Sequence, residues 1–175
     1  MKRTIMQLFF FILLIFLSGC VSKYPTIKNT YDSSFIEFER NVTYPKRSST
    51  IVFEADESYY GKCKRNFTSG KRMAILSNDY LVSNENETGL KVQPGRIKMS
   101  IQHTASNPKF ITIEEKLSGC NTFIDFNVAP NQKYKVVSYA HHSFWRSPTV
   151  CSAEVFKLNT NKIYEKIKIN QYLCK

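Results

Sequence analysis

The sequence predicts an all-β protein, an antiparallel β-sandwich forming one domain over residues 31–175. Three observations carry this. The segment Arg96-Ile97-Lys98-Met99-Ser100-Ile101-Gln102-His103 alternates strictly, with Ile97, Met99 and Ile101 on one side and Arg96, Lys98, Ser100 and Gln102 on the other, the signature of a half-buried strand with a wet outer face. Short β-branched and aromatic runs recur along the chain, separated by turn signals. No stretch after the N-terminal leader keeps a helical period.

Taken in order, residues 21–29 are short and polar and contain Pro25, and they read as a tether. Residues 30–48 are mixed, with a short strand expected around 35–40. Thr50-Ile51-Val52-Phe53-Glu54-Ala55 reads as a strand, and 71–76 as the next. Residues 77–88, rich in Asn, Ser and Glu, form a loop. Pro94-Gly95 marks a turn into the alternating strand at 96–103. A weaker alternation follows at 110–115. In 122–128, Ile124, Phe126 and Val128 share a face. Ala129-Pro130-Asn131-Gln132 is a short turn into 134–140, so 122–140 is expected to be a hairpin. A second hairpin is expected from 153–158 and 163–173, joined through Asn159-Thr160-Asn161. About eight short strands at this spacing fit a sandwich.

The N-terminus is a separate element. Lys2 and Arg3 precede residues 5–17, which are apolar apart from Gln7, and the small residues Ser18 and Gly19 then precede Cys20. That is the layout of a secretory signal, with an apolar run shorter than the roughly 20 residues of a transmembrane helix. Leu17-Ser18-Gly19-Cys20 resembles the lipobox of bacterial lipoproteins. The resemblance implies that residues 1–19 are a signal peptide and that the Cys20 thiol carries a diacylglyceryl group. It further implies that Cys20 becomes the acylated mature N-terminus, with 20–30 as lipidated cysteine and tether. Two or three acyl chains give stable attachment. Val21, where an aspartate would retain such a protein in the inner membrane, implies the outer membrane of the cell envelope and a periplasm-facing domain.

Residues 21–175, beyond the leader and Cys20, number 155, enough for one domain with a real core. The whole chain carries +11, and +9 remains once the two leader bases are gone. A basic envelope protein can associate with anionic lipid head groups and anionic envelope polymers, the other reading being a solvated basic surface with no dedicated partner, and nucleic acid is not expected in that compartment. After Cys20, four cysteines remain, and an even number in an exported chain argues for two disulfides. Four cysteines allow three connectivities. Cys120 with Cys151 and Cys63 with Cys174 are preferred, because Cys120 and Cys151 each precede a predicted strand with one antiparallel strand between. Their entrances then fall at one end of a sheet, about 10 Å apart, a gap that a loop would have to close. No C-x-x-C pair supports a zinc site.

Val92-Gln93-Pro94-Gly95-Arg96-Ile97-Lys98-Met99, followed by Asn131-Gln132-Lys133-Tyr134-Lys135-Val136, is similar to small immunoglobulin-like and PEGA-like β domains of bacterial envelope proteins. These use a Pro-Gly turn into an alternating strand and later a turn leading to a tyrosine. The likeness covers about a quarter of the chain. Gln132 stands where a glycine is common. The implied fold is an immunoglobulin-like sandwich, with a transthyretin-like one as the alternative, and no catalytic residues come with it.

Candidate chemistry is sparse. His141 and His142 are adjacent, so on a strand they point to opposite faces and cannot share an ion with His103 without a bulge; they read as surface or loop-end residues. Ser143 lies in no G-x-S-x-G elbow. Glu114 and Glu115 are divided by strand geometry and do not make a glycosidase pair. Asn41-Val42-Thr43, Asn66-Phe67-Thr68 and Asn86-Glu87-Thr88 match the glycosylation pattern; in a bacterial lipoprotein they are chance matches in an Asn-rich chain, and they gain weight only if the lipobox reading fails and the chain is a eukaryotic secreted protein. The stretch 141–148, with His141, His142, Phe144, Trp145 and Arg146, reads as a loop rich in hot-spot residue types and is the expected partner-binding loop; the other reading has Trp145 plugging the core. No residue set supplies a nucleophile, base and orienting group, so the expectation is a non-enzymatic envelope lipoprotein without cofactor or metal that binds or scaffolds another component. Its alternatives are an inhibitor or immunity lipoprotein against a cell-wall hydrolase or toxin, and a secretion-system accessory lipoprotein.

Overall fold

A computed structural model describes residues 23–25, 27, 32–43, 47–55, 70–77, 87–106, 118–143 and 146–174. They form ten strands: β1 (Ser34–Thr43), β2 (Arg47–Glu54), β3 (Arg72–Ser77), β4 (Gly89–Val92), β5 (Gly95–Ser106), β6 (Ser118–Val128), β7 (Lys133–Ser143), β8 (Arg146–Leu158), β9 (Tyr164–Lys166) and β10 (Asn170–Cys174). Two five-stranded sheets result, in the orders β4-β1-β7-β8-β9 and β10-β6-β5-β2-β3. Every pairing between strands is antiparallel except β1 with β7, which is parallel. The all-β sandwich expected from the periodicity is the fold.

The core lies between the sheets and follows from the alternation. Ile97, Met99 and Ile101 of β5 register with Phe126, Ile124 and Thr122 of β6. Ile36 and Phe38 of β1, Tyr134 and Val136 of β7, and Ala153 and Val155 of β8 complete one buried cluster with them. The outer face of the β5–β6 sheet is drier than the sequence suggests. Ser100 and Phe123 are opposite each other in the outward phase, and both are fully buried; Ser100 donates to Asn121 Oδ1 at 3.0 Å.

Two expected hairpins are corrected. The segment 122–140 is not a hairpin, because β6 and β7 belong to different sheets. β6 already has β5 and β10 on its two edges, so 129–132 turns a corner from one layer to the other. Tyr134, 1% exposed, fixes that corner: the Ala129 N–H donates to its hydroxyl at 2.9 Å, and its ring packs on Phe126 at 5.7 Å. A tyrosine tied back to the backbone just upstream is a recurring device at sheet-to-sheet corners. Ser34 bonds both sides of the turn, donating to the Ala129 carbonyl at 2.6 Å and accepting from the Gln132 N–H at 3.0 Å. The left-handed residue here is Asn131 (φ 54°), a conformation asparagine tolerates, so position 132 needs no glycine.

The second expected hairpin is half right. β8 does pair with β9, but 163–173 is two strands rather than one. After β9 the chain crosses at 167–169, and β10 joins β6 in the other sheet. β4 had no clear sequence signal, since it is four residues long and begins with a glycine. The expected strand at 110–115 lies outside the described residues.

Strand direction gives the sandwich two distinct ends. β1, β3, β5, β7, β9 and β10 begin at one end, where the turns 129–132 and 159–163 lie; the β7–β8 hairpin closes the other. β7 alone is 11 residues, a rise of about 36 Å between them.

Candidate functional site

The expected partner-binding loop is mostly strand. His141 is the ninth residue of β7, pairs with Val150 and is exposed, while His142 and Ser143 continue β7 past an irregularity. Arg146 opens β8 and registers with Ser143; Phe144 and Trp145 lie outside the described residues. Tyr134, Val136, Val137 and Tyr139 on one arm and Thr149, Val150, Val155 and Phe156 on the other favour strand, and pairing carries on from them through the polar residues toward the tip. The reading of Trp145 as a core plug therefore lies outside the described residues as well.

Near this end sits a polar interior. His103 is not the surface residue expected from sequence: it is 2% exposed, in the inward phase of β5, with its Nδ1 at 3.0 Å from Thr50 Oγ1. Cys120 registers with His103 on β6. Cys120 is bonded to Cys151 of β8, with Cα atoms 5.8 Å apart. The expected pairing is present, but the reasoning behind it is corrected. The two cysteines are inside strands of opposite sheets and face each other across the sandwich, so no loop has to fold in. Thr50, His103, Thr122, Ser138 and Cys151 line a packing gap here that is too small to seat a water molecule. Cys63 lies outside the described residues, and only the backbone of Cys174, at the end of β10, is described. His103 and His141 occupy the inward and outward phases of different sheets, and the described residues contain no group of three or more metal-ligating side chains.

Arg40, half-buried and in the inward phase of β1, crosses between layers at this end. Its guanidinium donates to the Ser48 carbonyl at 2.8 Å and the Leu76 carbonyl at 3.3 Å, and burial lowers its pKa. It ties β1 to β2 and β3.

The outer face of the β1–β7–β8 sheet is a lattice of paired charges. Lys133 meets Glu37 at 3.5 Å and Lys135 meets Glu39 at 3.2 Å, while Lys166 pairs with Glu154. The Tyr164 hydroxyl donates to Glu37 at 3.3 Å, with Lys135 Nζ 4.9 Å from the centre of its ring. The hydrogen bond from Lys166 lowers the Glu154 pKa, and that to Glu39 raises the Lys135 pKa. Such pairs are satisfied among themselves and solvated, which suits a structural face.

The two lateral sides of the sandwich differ, and this contrast was missed from sequence. On one side the β3 edge is covered: Ile75 and Glu87 exchange both backbone hydrogen bonds, and the Tyr24 N–H donates to the Arg72 carbonyl at 2.8 Å. On the other side, β10 pairs only with β6 among the described residues. Three of the four exposed large apolar residues among those described lie along this side, Ile163 (60%), Tyr172 (50%) and Leu173 (45%). The available signal was the strand itself. Asn170-Gln171-Tyr172-Leu173-Cys174 has no charge and no proline, the devices that usually protect an edge.

Comparisons with protein-family models, with curated proteins and with solved structures return no match for this chain.

Proposed function

We propose that this protein is a lipid-anchored lipoprotein of the bacterial outer membrane. Its periplasm-facing sandwich, without enzymatic activity, binds or scaffolds another envelope component. The leader ending in Leu17-Ser18-Gly19-Cys20 supports the anchor, and a disulfide between Cys120 and Cys151 suits an exported domain. One observation carries the binding role: the β10 edge, which among the described residues pairs only with β6 and exposes Tyr172 and Leu173, whereas the β3 edge at the other margin of the same sheet is covered by Tyr24 and Glu87. An unprotected edge takes up an extended segment of a partner through backbone hydrogen bonds, while side chains on its two faces select the sequence.

The test is an affinity pull-down of the lipidated protein from envelope extract, run beside Tyr172→Arg/Leu173→Arg and Trp145→Ala. The expected result is a defined partner kept by Trp145→Ala and lost by the β10 variant, with both variants folded. A partner lost only by Trp145→Ala moves the site to the hairpin tip. Absence of any specific partner contradicts the binding role.

A further inference from the structure

The distance from Cys20 to the folded domain is short. Two residues, Val21 and Ser22, lie between Cys20 and Lys23, and the three backbone steps from one to the other reach at most about 11 Å. Lys23 bridges to Arg72, the first residue of β3, and Tyr24 packs against the core, so the chain is already held at the end of the sandwich where β3 begins. Resting on the reading of Cys20 as lipid anchor, this places one corner of that end next to the bilayer.

The opposite corner of the same end carries a second feature. The turn after β8 is held by Asn159, which accepts from the Ile163 N–H through its side chain at 2.9 Å and donates to Glu165 at 2.7 Å. This fixed turn presents Lys162, in the left-handed region at φ 61°, and Ile163, the most exposed large apolar residue described. An apolar side chain beside a lysine at a rigid tip is the chemistry of interfacial attachment, with the side chain in the acyl boundary and the cation at the phosphates. In the same half of the molecule Lys71, Lys157, Lys162 and Lys168 enter no ion pair among the described residues, four lysines against the three carboxylates of Asp32, Glu54 and Glu165. At the hairpin end the described outward residues, Asn41, Ser49, Thr104, Gly119, His141 and Ser152, include neither lysine nor carboxylate.

We infer that the Lys162–Ile163 turn is a second membrane contact, docking on anionic lipid head groups. With Lys23, close in sequence to the anchor, at one corner and this turn at the other, about 20 Å apart across the sheet, the sandwich stands on end and holds the β7–β8 hairpin away from the bilayer.

Amide hydrogen exchange on the full lipidated protein tests this, in vesicles of phosphatidylcholine alone and in vesicles with phosphatidylglycerol added. Slower exchange at 159–163 is expected only with phosphatidylglycerol, with the hairpin at 141–146 unchanged and the effect erased in Lys162→Glu/Ile163→Asp. Equal exchange at the turn in both vesicles, or protection of the hairpin instead, overturns the proposal. Intact mass and co-sedimentation of the same samples report the anchor separately: an unmodified Cys20 and protein left in the supernatant mark failure of the lipoprotein reading itself.

Discussion

Cys120 and Cys151 lie 5.8 Å apart, Cα to Cα, on facing strands of opposite sheets, and their bond is a covalent tie between the two layers. It closes a segment of 31 residues that contains the corner at 129–132 and all of β7. A loop of that length stabilises by about 3–4 kcal/mol through the entropy removed from the unfolded chain. Cys120→Ala/Cys151→Ala is expected to lose about that much in denaturant unfolding. A non-reducing peptide map should recover 120 linked to 151.

Asp125 is buried on the outer side of β6, where the Arg96 guanidinium bonds both its oxygens at 3.2 and 2.6 Å and Asn170 donates at 3.3 Å. The hydrogen bond from Arg96, first among the causes, holds its pKa below the ordinary carboxylate value. A depressed folded-state pKa adds stability at every pH above the unfolded value, about 3.9, and this contribution is lost as pH falls through the folded pKa. Stability should therefore drop below about pH 4, and Asp125→Asn should flatten that drop. At neutral pH the same substitution should cost about 1–2 kcal/mol, the worth of a charge-assisted bond, with Arg96 free to return to water. Equilibrium unfolding from pH 2 to 7 checks both, the range bracketing the carboxylate values.

Tyr134→Phe keeps the buried ring and removes the hydroxyl that accepts from Ala129. The unpaired N–H at the corner should cost about 1–2 kcal/mol. Amide exchange should quicken at 129–132 before it does in the centre of β6 or β7. Equal exchange in both proteins would mean that Ser34 alone holds the corner.

Thr50→Val is nearly isosteric and leaves His103 Nδ1 without its described partner in an inward position. A loss of about 1–2 kcal/mol in thermal or denaturant unfolding is expected. His141→Ala, at an exposed site on β7, should stay within about 0.5 kcal/mol of the parent.

Local pattern was legible where one face of a strand is wet, and topology was not. Ile97, Met99 and Ile101 declared β5 because Arg96, Lys98 and Gln102 alternate with them. In β6 the outward phase includes Phe123, so both faces are buried and periodicity no longer says which is the core side. The corner after Val128 looked like a hairpin because a short turn between two strands reads the same whether the chain returns along its own sheet or crosses to the next. What decides is the set of long-range bonds from Ser34 and the occupied edges of β6, and neither is local. His103 followed the same limit, since a lone histidine ending an alternating strand shows its phase but not the layer that covers it. The β10 edge was written in the sequence as an uncharged run, but only the strand order reveals that no other described strand pairs beyond it.

The central claim is that this sandwich is an exported domain held to the membrane through Cys20. Mass spectrometry of the N-terminal peptide of the protein isolated from bacterial envelope tests it most directly. The account predicts a mature chain that begins at Cys20 and carries a diacylglyceryl thioether with an acylated amino group. A chain that begins elsewhere, or a Cys20 thiol without lipid, would contradict it.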